Sequence, residues 1–231
     1  KNITNTNNNF IYHKHFFIEG QINLKGILFI PEIQPHDMFQ NYQSKKSNIK
    51  LYVKKVLITD DLKEIIPEWL SFIYGIIDCD DLPLNVSREI LQESNLIKLI
   101  KKIVLKKCIE TIEELSKDKI KYLKFYKLFS KNLKVGIHQN NEYCDKLNNL
   151  LRYQSSKNLK DYISFNDYIS NNDDNNIYSL IGKNIEELIQ SPLIEKYIFN
   201  NKNILFMTDT LDEYIMSNLK EYKGKTLVSL S

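Results

Sequence analysis

The longest periodic pattern in the 231-residue sequence is a stripe of apolar residues that a helix would bring onto one face. Successive spacings of 3, 4, 4, 4 and 3 separate its members, which are Ile97, Ile100, Val104, Cys108, Ile112 and Leu115. That period is typical of a helix with one buried face. We predict a helix that begins at Ser87 as N-cap and ends near Ser116, with a break allowed at Asn95. The lysines between residues 98 and 107 fall mostly on other faces, where a solvated surface is favoured over phosphate contact.

Strand patterns precede this helix. Residues 15–30 alternate around a break at Gly20, which predicts a hairpin or a bent strand. Residues 49–59 become continuously apolar and predict one buried strand, and residues 75–78 predict another short one. Asp60 or Asp61 is expected to cap a following helix, and the polar residues 1–9 form a poorly ordered lead-in.

The second half of the chain begins with helices and ends with alternating elements. Residues 120–129 and 141–151 predict two helices, and the link between them turns on Gly136. After a polar boundary at residues 155–164, we predict strands at 177–181, 203–207 and 227–230, with helices at 184–199 (interrupted at Ser191-Pro192) and 209–219. Such alternation predicts a small α/β unit with a largely parallel sheet.

The composition limits the kinds of partner and site that the chain is expected to have. A net charge of +3 demands neither nucleic acid nor a membrane as partner, and no apolar run reaches the roughly 18 residues of a membrane span. Three cysteines without Cys-x-x-Cys spacing favour a reducing compartment. The four histidines are scattered, so we predict no metal site. The chain begins with Lys1 rather than Met, as expected of a piece of a longer protein.

Arginine use singles out one stretch. The chain has 32 Lys and Arg residues, and only Arg88 and Arg152 are Arg. Arg88 and Gln92 share a helix face, and Asn85 lies just before the helix, so three donors converge where a helix N-terminus favours an anion. The alternative is a structural Arg88 that holds Asp80 or Asp81.

No nucleotide-binding motif accompanies these donors. The triplet Gly224-Lys225-Thr226 ends like a phosphate-binding loop, but Leu219 stands where that motif needs a Gly. The three donors alone have no means of holding a base or a magnesium ion.

The residues from Asp80 to Glu89 (DDLPLNVSRE), followed by Leu91-Gln92, resemble the signature loop of the middle domain of heat-shock protein 90 chaperones. Further segments resemble the same family in order: HFFIEG at 15–20, IKLYVKKV at 49–56, IPEWLSF at 66–72, FSKNLK at 129–134, LLRY at 150–153, DEY at 212–214 and GKTLV at 224–228. The ordered series covers nearly all of residues 10–231.

Together with the patterns, the resemblance implies an α/β fold of two α/β/α sandwich subdomains joined by a short helical bundle. The predicted divisions are a large subdomain at 1–117, a helical connector at 118–154 and a small subdomain at 155–231.

The resemblance also implies the middle segment of an ATP-dependent, homodimeric chaperone. A separate N-terminal domain would bind ATP and Mg²⁺, and Arg88 would reach the terminal phosphate with support from Asn85 and Gln92. Leu82 and Leu84 would contact the docked domain or be buried for structural reasons. Client proteins, co-chaperones and the chain's own N- and C-terminal domains are the implied partners. The Leu91-Gln92-Glu93-Ser94 ending favours an organelle-type member, with the cytoplasm as the alternative.

A passive protein-binding platform, in which Arg88 is purely structural, is the competing hypothesis.

Overall fold

A computed structural model describes residues 9–34, 48–59, 66–82, 95–139, 141–172 and 174–230. The chain divides after Leu128 into two compact units, unit 1 (residues 1–128) and unit 2 (residues 129–231). The fold is mixed α/β, with one sheet in each unit, as the sequence predicted. The predicted boundaries at residues 117 and 154 stay predictions.

The sheet of unit 1 has five strands in the order β1-β2-β5-β3-β4. They are β1 (Phe10–Ile18), β2 (Leu24–Pro31), β3 (Ile49–Val53), β4 (Val56–Thr59) and β5 (Tyr74–Cys79). Only β3 and β5 pair in parallel, and the other neighbours are antiparallel. The hairpin predicted around Gly20 is confirmed by the pairing of β1 with β2. A 3₁₀ turn at Glu68–Leu70 precedes β5.

The single strand predicted at residues 49–59 is wrong, because the segment folds into the β3–β4 hairpin. The chain reverses at Lys54 and Lys55, whose φ angles are +49° and +69°. Tight hairpin turns of this kind prefer Asn and Gly, which tolerate positive φ. Two lysines give no such signal, so the turn was missed.

Two long helices follow, α1 (Asn95–Leu115) and α2 (Lys119–Gln139). All six residues of the predicted apolar stripe on α1 are at most 3% exposed, which confirms that face as core. Ion pairing links α1 to the sheet, because Lys14 Nζ on β1 lies 2.6 Å from Glu114 Oε1. The predicted N-cap Ser87, the helix expected after Asp60 or Asp61, and residues 1–8 of the lead-in lie outside the described residues.

The predicted turn at Gly136 is wrong, since α2 continues through it to Gln139. Phe125, Phe129, Leu133 and Ile137 repeat every four residues and are at most 5% exposed, so the buried stripe runs past the glycine. Gly inside a helix costs only about 1 kcal/mol relative to Ala. Burial of the apolar side chains on either side outweighs that cost.

Unit 2 contains a six-stranded sheet in the order β10-β11-β8-β9-β6-β7. The strands are β6 (Tyr153–Ser155), β7 (Asn158–Ile163), β8 (Asn176–Ile181), β9 (Ile204–Met207), β10 (Glu221–Tyr222) and β11 (Lys225–Ser229). The helices are α3 (Cys144–Leu150), α4 (Phe165–Ser170), α5 (Ile185–Ile189), α6 (Glu195–Phe199) and α7 (Leu211–Asn218), with 3₁₀ turns at Asn141–Tyr143 and Pro192–Ile194.

The pairings of β11 with β8 and of β8 with β9 are parallel, as predicted for these three strands. The largely parallel sheet is otherwise wrong, because β10–β11, β9–β6 and β6–β7 pair antiparallel. The helix predicted at 184–199 is interrupted at Ser191-Pro192 as expected. The polar stretch at 155–164 contains most of the antiparallel β6–β7 hairpin rather than an unstructured link. None of the helices in the described ranges is long and apolar enough to cross a membrane.

Candidate functional site

The predicted site begins where the chain leaves β5. Of the predicted site residues, Leu82 is described, whereas Leu84, Asn85, Arg88 and Gln92 lie outside the described residues. The structure therefore shows how the segment that enters the site, Asp78 to Leu82, is held. We call this segment the loop base.

Two contacts with Asn23, just before β2, hold the loop base by its backbone and by one carboxylate. The Asn23 N–H donates to Asp81 Oδ2 at 2.5 Å. The Asp80 N–H donates in return to the carbonyl oxygen of Asn23 at 3.3 Å. The backbone bond continues the β2–β5 pairing by one residue beyond Cys79, and the bond to Oδ2 fixes Asp81 through its side chain.

Lys25, on β2, forms ion pairs with two aspartates of the loop base. Its ammonium lies 3.4 Å from Asp78 Oδ2 and 3.3 Å from Asp80 Oδ2. The hydrogen bond to Asp80 raises the pKa of Lys25, with a further contribution from Asp78. Lys25 is opposite Asp78 in the strand register, so the pairing of β2 with β5 itself brings the charges together.

Asp78 also ties the loop base to the β3–β4 turn. Its Oδ1 accepts from the backbone N–H of Lys55 at 3.1 Å. One carboxylate thus contacts two different neighbours of β5, the turn through one oxygen and Lys25 through the other.

Buried side chains complete the loop base. Cys79 is fully buried, and this burial raises the pKa of its thiol. Leu82 is only 2% exposed, so it packs within unit 1 and offers little surface to another domain. Burial favours the structural alternative for Leu82, and its interdomain contact stays a prediction.

These contacts bear on the competing explanations of Arg88. The structural explanation requires an acidic partner such as Asp80 or Asp81. Asp80 is paired with Lys25, and Asp81 accepts from Asn23. Both carboxylates therefore have partners of their own within the described part of the chain.

Sequence reasoning missed Asn23 and Lys25. Each meets its aspartate across more than fifty positions of sequence, at |i−j| of 58 and 55. Local patterns cannot reveal such a pairing. The sequence predicted the β1–β2 hairpin. It did not show that β5 lies beside β2 in the sheet.

The rejected phosphate-binding triplet has a structural explanation. Lys223 and Gly224, at φ +50° and +79°, form the tight turn between β10 and β11, and Lys225 and Thr226 continue into β11. Among the described residues, no three His, Cys, Asp or Glu side chains are grouped so that they could hold a metal ion.

Comparison with known proteins places the chain in a class of chaperones. The protein-family model described as Hsp90 protein matches residues 1–231. The fold is similar to the middle domain of a Plasmodium falciparum heat shock protein, with a TM-score of 0.82 and 29% identity over 100% of this chain and 91% of that one. The chain therefore belongs to the Hsp90 family and has the fold of its middle domain.

Longer proteins with several different names are similar to this chain. Heat shock protein 83 of Leishmania donovani is 38% identical over 94% of this chain and 48% of its own length. The endoplasmin homolog of Caenorhabditis elegans is 39% identical over 97% of this chain and 30% of its own length. Chaperone protein HtpG of Helicobacter acinonychis is 41% identical over 96% of this chain and 36% of its own length. The chain thus spans less than half the length of each of these relatives.

Proposed function

We propose that this chain is the middle segment of an ATP-dependent molecular chaperone that assists protein folding, and that Arg88 completes its ATPase site. A separate N-terminal domain holds ATP and Mg²⁺. Arg88 reaches across to the terminal phosphate, and the amides of Asn85 and Gln92 support that contact. Membership of the Hsp90 family supports the chaperone role.

The observation that carries the proposed role of Arg88 is the engagement of Asp80 and Asp81 by Lys25 and Asn23. Because each carboxylate already has one partner, the structural explanation of Arg88 is weakened, and this supports a contact with an external anion. Fixing the loop base also reduces the conformational freedom that must be lost when Arg88 meets its ligand.

Arg88 would stabilise the negative charge on the phosphate oxygens during hydrolysis. Negative charge spreads over the phosphate oxygens as the phosphoryl group is transferred, and a planar, permanently charged guanidinium can contact two of those oxygens at once. Because Arg88 and the nucleotide belong to different domains, hydrolysis requires the domains to close. This requirement couples ATP turnover to a change in shape.

The proposal includes the partners that the chaperone role implies. Client proteins and co-chaperones would bind surfaces of this segment, and the complete protein would be a homodimer with its own N- and C-terminal domains. An organelle is proposed as its compartment, with the cytoplasm as the alternative.

The test replaces Arg88 in the longer protein that contains the N-terminal domain. Arg88→Lys and Arg88→Ala are expected to lower ATP turnover by about a thousandfold, while nucleotide affinity stays within about twofold. Arg152→Lys is the matched control, because Arg152 donates to the carbonyls of Asn149 and Leu151 in unit 2. The 231-residue chain alone is expected to have no ATPase activity.

The passive-platform hypothesis predicts a different pair of results. Turnover would be unchanged, and Arg88→Ala would lower the melting temperature of the 231-residue chain by several degrees. That combination would refute the proposed role of Arg88.

A further inference from the structure

Two histidines stand two positions apart on β1, on the face of the sheet that is turned away from α1. The residue between them, Lys14, forms an ion pair with Glu114 of α1 at 2.6 Å, so its side chain faces the helix. His13 and His15 lie on the opposite face, because alternate residues of a strand share one side of the sheet. Both are exposed, and their ring centres are 5.9 Å apart with the ring planes at 88°. The strand thus presents two imidazoles side by side to solvent.

The ring nitrogens of both histidines are free for a ligand. Among the residues that the structure describes, none forms a hydrogen bond or an ion pair with His13 or His15. Their cross-strand neighbours on β2 are apolar, with Phe29 opposite His13 and Ile27 opposite His15. The ring of Phe29 packs 6.2 Å from that of His13, which restricts the positions of this imidazole. A neutral imidazole nitrogen without a competing partner is a common ligand of transition-metal ions.

The separation of the two rings is close to what one shared ion requires. A nitrogen ligand lies about 2.0–2.1 Å from Zn²⁺, so the ion lies about 3.2 Å from the centre of each ligating ring. At tetrahedral ligand angles, two such ring centres are about 5 Å apart. The rings of His13 and His15 therefore need to approach by about 1 Å from their observed separation. Side-chain rotation supplies this shift without a change in the backbone, because exposed side chains change rotamer readily.

The space beside His15 leaves room for the rest of a coordination shell. His15 lines a cavity of about 510 Å³ together with Lys25 of β2 and Asp78 of β5. The ammonium of Lys25 lies 3.4 Å from Asp78 and 3.3 Å from Asp80, so these carboxylates reduce its repulsion of a bound cation. Water or a donor atom of another molecule can occupy the coordination positions that two histidines leave open.

We propose that His13 and His15 together bind one divalent transition-metal ion that prefers nitrogen ligands, such as Zn²⁺ or Cu²⁺. No third His, Cys, Asp or Glu side chain joins them within the described ranges, so the site keeps open positions, unlike a closed structural zinc site. The sequence alone predicted no metal site because the four histidines are scattered, and the strand geometry changes that for this pair. The site differs from the proposed ATPase site, whose Mg²⁺ prefers oxygen ligands.

Zinc titration of the 231-residue chain tests this proposal. Isothermal titration calorimetry with ZnCl₂, at about pH 7.5 in a buffer that does not bind metals, should show saturable binding of one ion per chain. His13→Gln and His15→Gln should each weaken this binding by about tenfold or more, because each removes one of two ligands that act together. Mg²⁺ in about hundredfold excess should not displace Zn²⁺, because it prefers oxygen ligands.

An exchange of two residues on β1 gives a matched control. The double variant His15→Phe/Phe17→His keeps the composition and leaves both histidines on the same face, but about 13 Å apart along the strand. One ion cannot bind both rings at that distance. Phe17 is 63% exposed, so the exchange does not alter the core. The variant should bind Zn²⁺ as weakly as His15→Gln, and circular dichroism should show that it is folded.

A second control removes possible ligands elsewhere. His138 on α2 is exposed, and its ring packs 4.1 Å from that of Tyr214. His138→Gln should leave zinc affinity unchanged, as should Cys144→Ser, which removes a partly exposed thiol. Absence of saturable binding, a loss in either control equal to that in His15→Gln, or full affinity in the exchange variant would each overturn the proposal. These results do not depend on ATP turnover, so the metal site and the role of Arg88 are tested separately.

Discussion

At the scale of single residues, a buried lysine of α2 forms an ion pair in unit 2. Lys134 Nζ lies 2.8 Å from Asp212 Oδ1, and the two side chains are 6% and 1% exposed. The Tyr153 hydroxyl donates to the same oxygen at 3.0 Å. Burial raises the pKa of Asp212, and the neighbouring Lys134 opposes that rise. The carboxylate therefore depends on the lysine for its charge.

We predict that Lys134→Met lowers the free energy of unfolding by about 3–5 kcal/mol near neutral pH, because it leaves a buried carboxylate without its cation. In this variant the pKa of Asp212 rises further above its unfolded value. The protonated form then favours folding, so the deficit should narrow as the pH falls and widen as it rises. Urea unfolding at about pH 5 and about pH 7.5 measures both effects. The double variant Lys134→Met/Asp212→Leu should recover much of the loss, and a deficit that is constant with pH would contradict this account.

Tyr168 provides a second residue-scale prediction. Its hydroxyl donates to the Asn203 carbonyl at 2.6 Å and accepts from the Tyr178 N–H at 3.2 Å, and burial raises its pKa to about 12. Because the unfolded pKa is about 10, its contribution to stability is complete below pH 10 and is lost as the pH rises toward 12. Tyr168→Phe should cost about 1–3 kcal/mol at neutral pH and flatten the alkaline loss of stability. The measurement is the free energy of unfolding at several pH values between about pH 8 and 11. If the hydroxyl were not responsible, this free energy would fall with pH equally steeply in Tyr168→Phe and in the original protein.

At the scale of elements, the β3–β4 turn places two lysines where the backbone prefers other residues. Positive φ at Lys54 and Lys55 costs roughly 1 kcal/mol per residue with a Cβ. Lys54→Asn and Lys55→Gly should together raise the free energy of unfolding by about 1 kcal/mol, since both residues tolerate this geometry. The hydrogen bond from the backbone N–H of residue 55 to Asp78 Oδ1 is retained, because it does not involve the replaced side chain. Lys50→Gly within β3 is the control and should destabilise, as measured by thermal unfolding.

The elements also show what the sequence could and could not predict. A helix with one buried face has apolar residues at regular spacing in its sequence, so the stripe from Ile97 to Leu115 was predicted correctly. The turn at Lys54-Lys55 and the helix through Gly136 were missed because tertiary contacts overrode local preference in both. At the site, the arginine and its neighbours were visible as a motif. The contacts of Asn23 and Lys25 with the loop base depend on which strand lies beside β5, and local sequence does not encode that neighbour.

At the scale of the whole molecule, each of the two units has its own sheet and its own buried residues. Leu28 on β2 and Leu205 on β9 are both completely buried, one in each unit. Replacing either by Ala should cost about 2–5 kcal/mol, because the cavity adds to the lost transfer energy. This pair of substitutions is matched in residue type, burial and secondary structure.

We predict that each substitution destabilises mainly the unit that contains it. Native-state hydrogen exchange should speed up in β2 and β5 for Leu28→Ala, and in β8 and β9 for Leu205→Ala, with the sheet of the other unit little changed. Such independence would confine a disturbance of the core of unit 2 to that unit and leave the loop base in unit 1 intact. Equal acceleration in both sheets for either variant would mean that the chain unfolds as one cooperative unit. In that case, Leu205→Ala would also be expected to disturb the loop base.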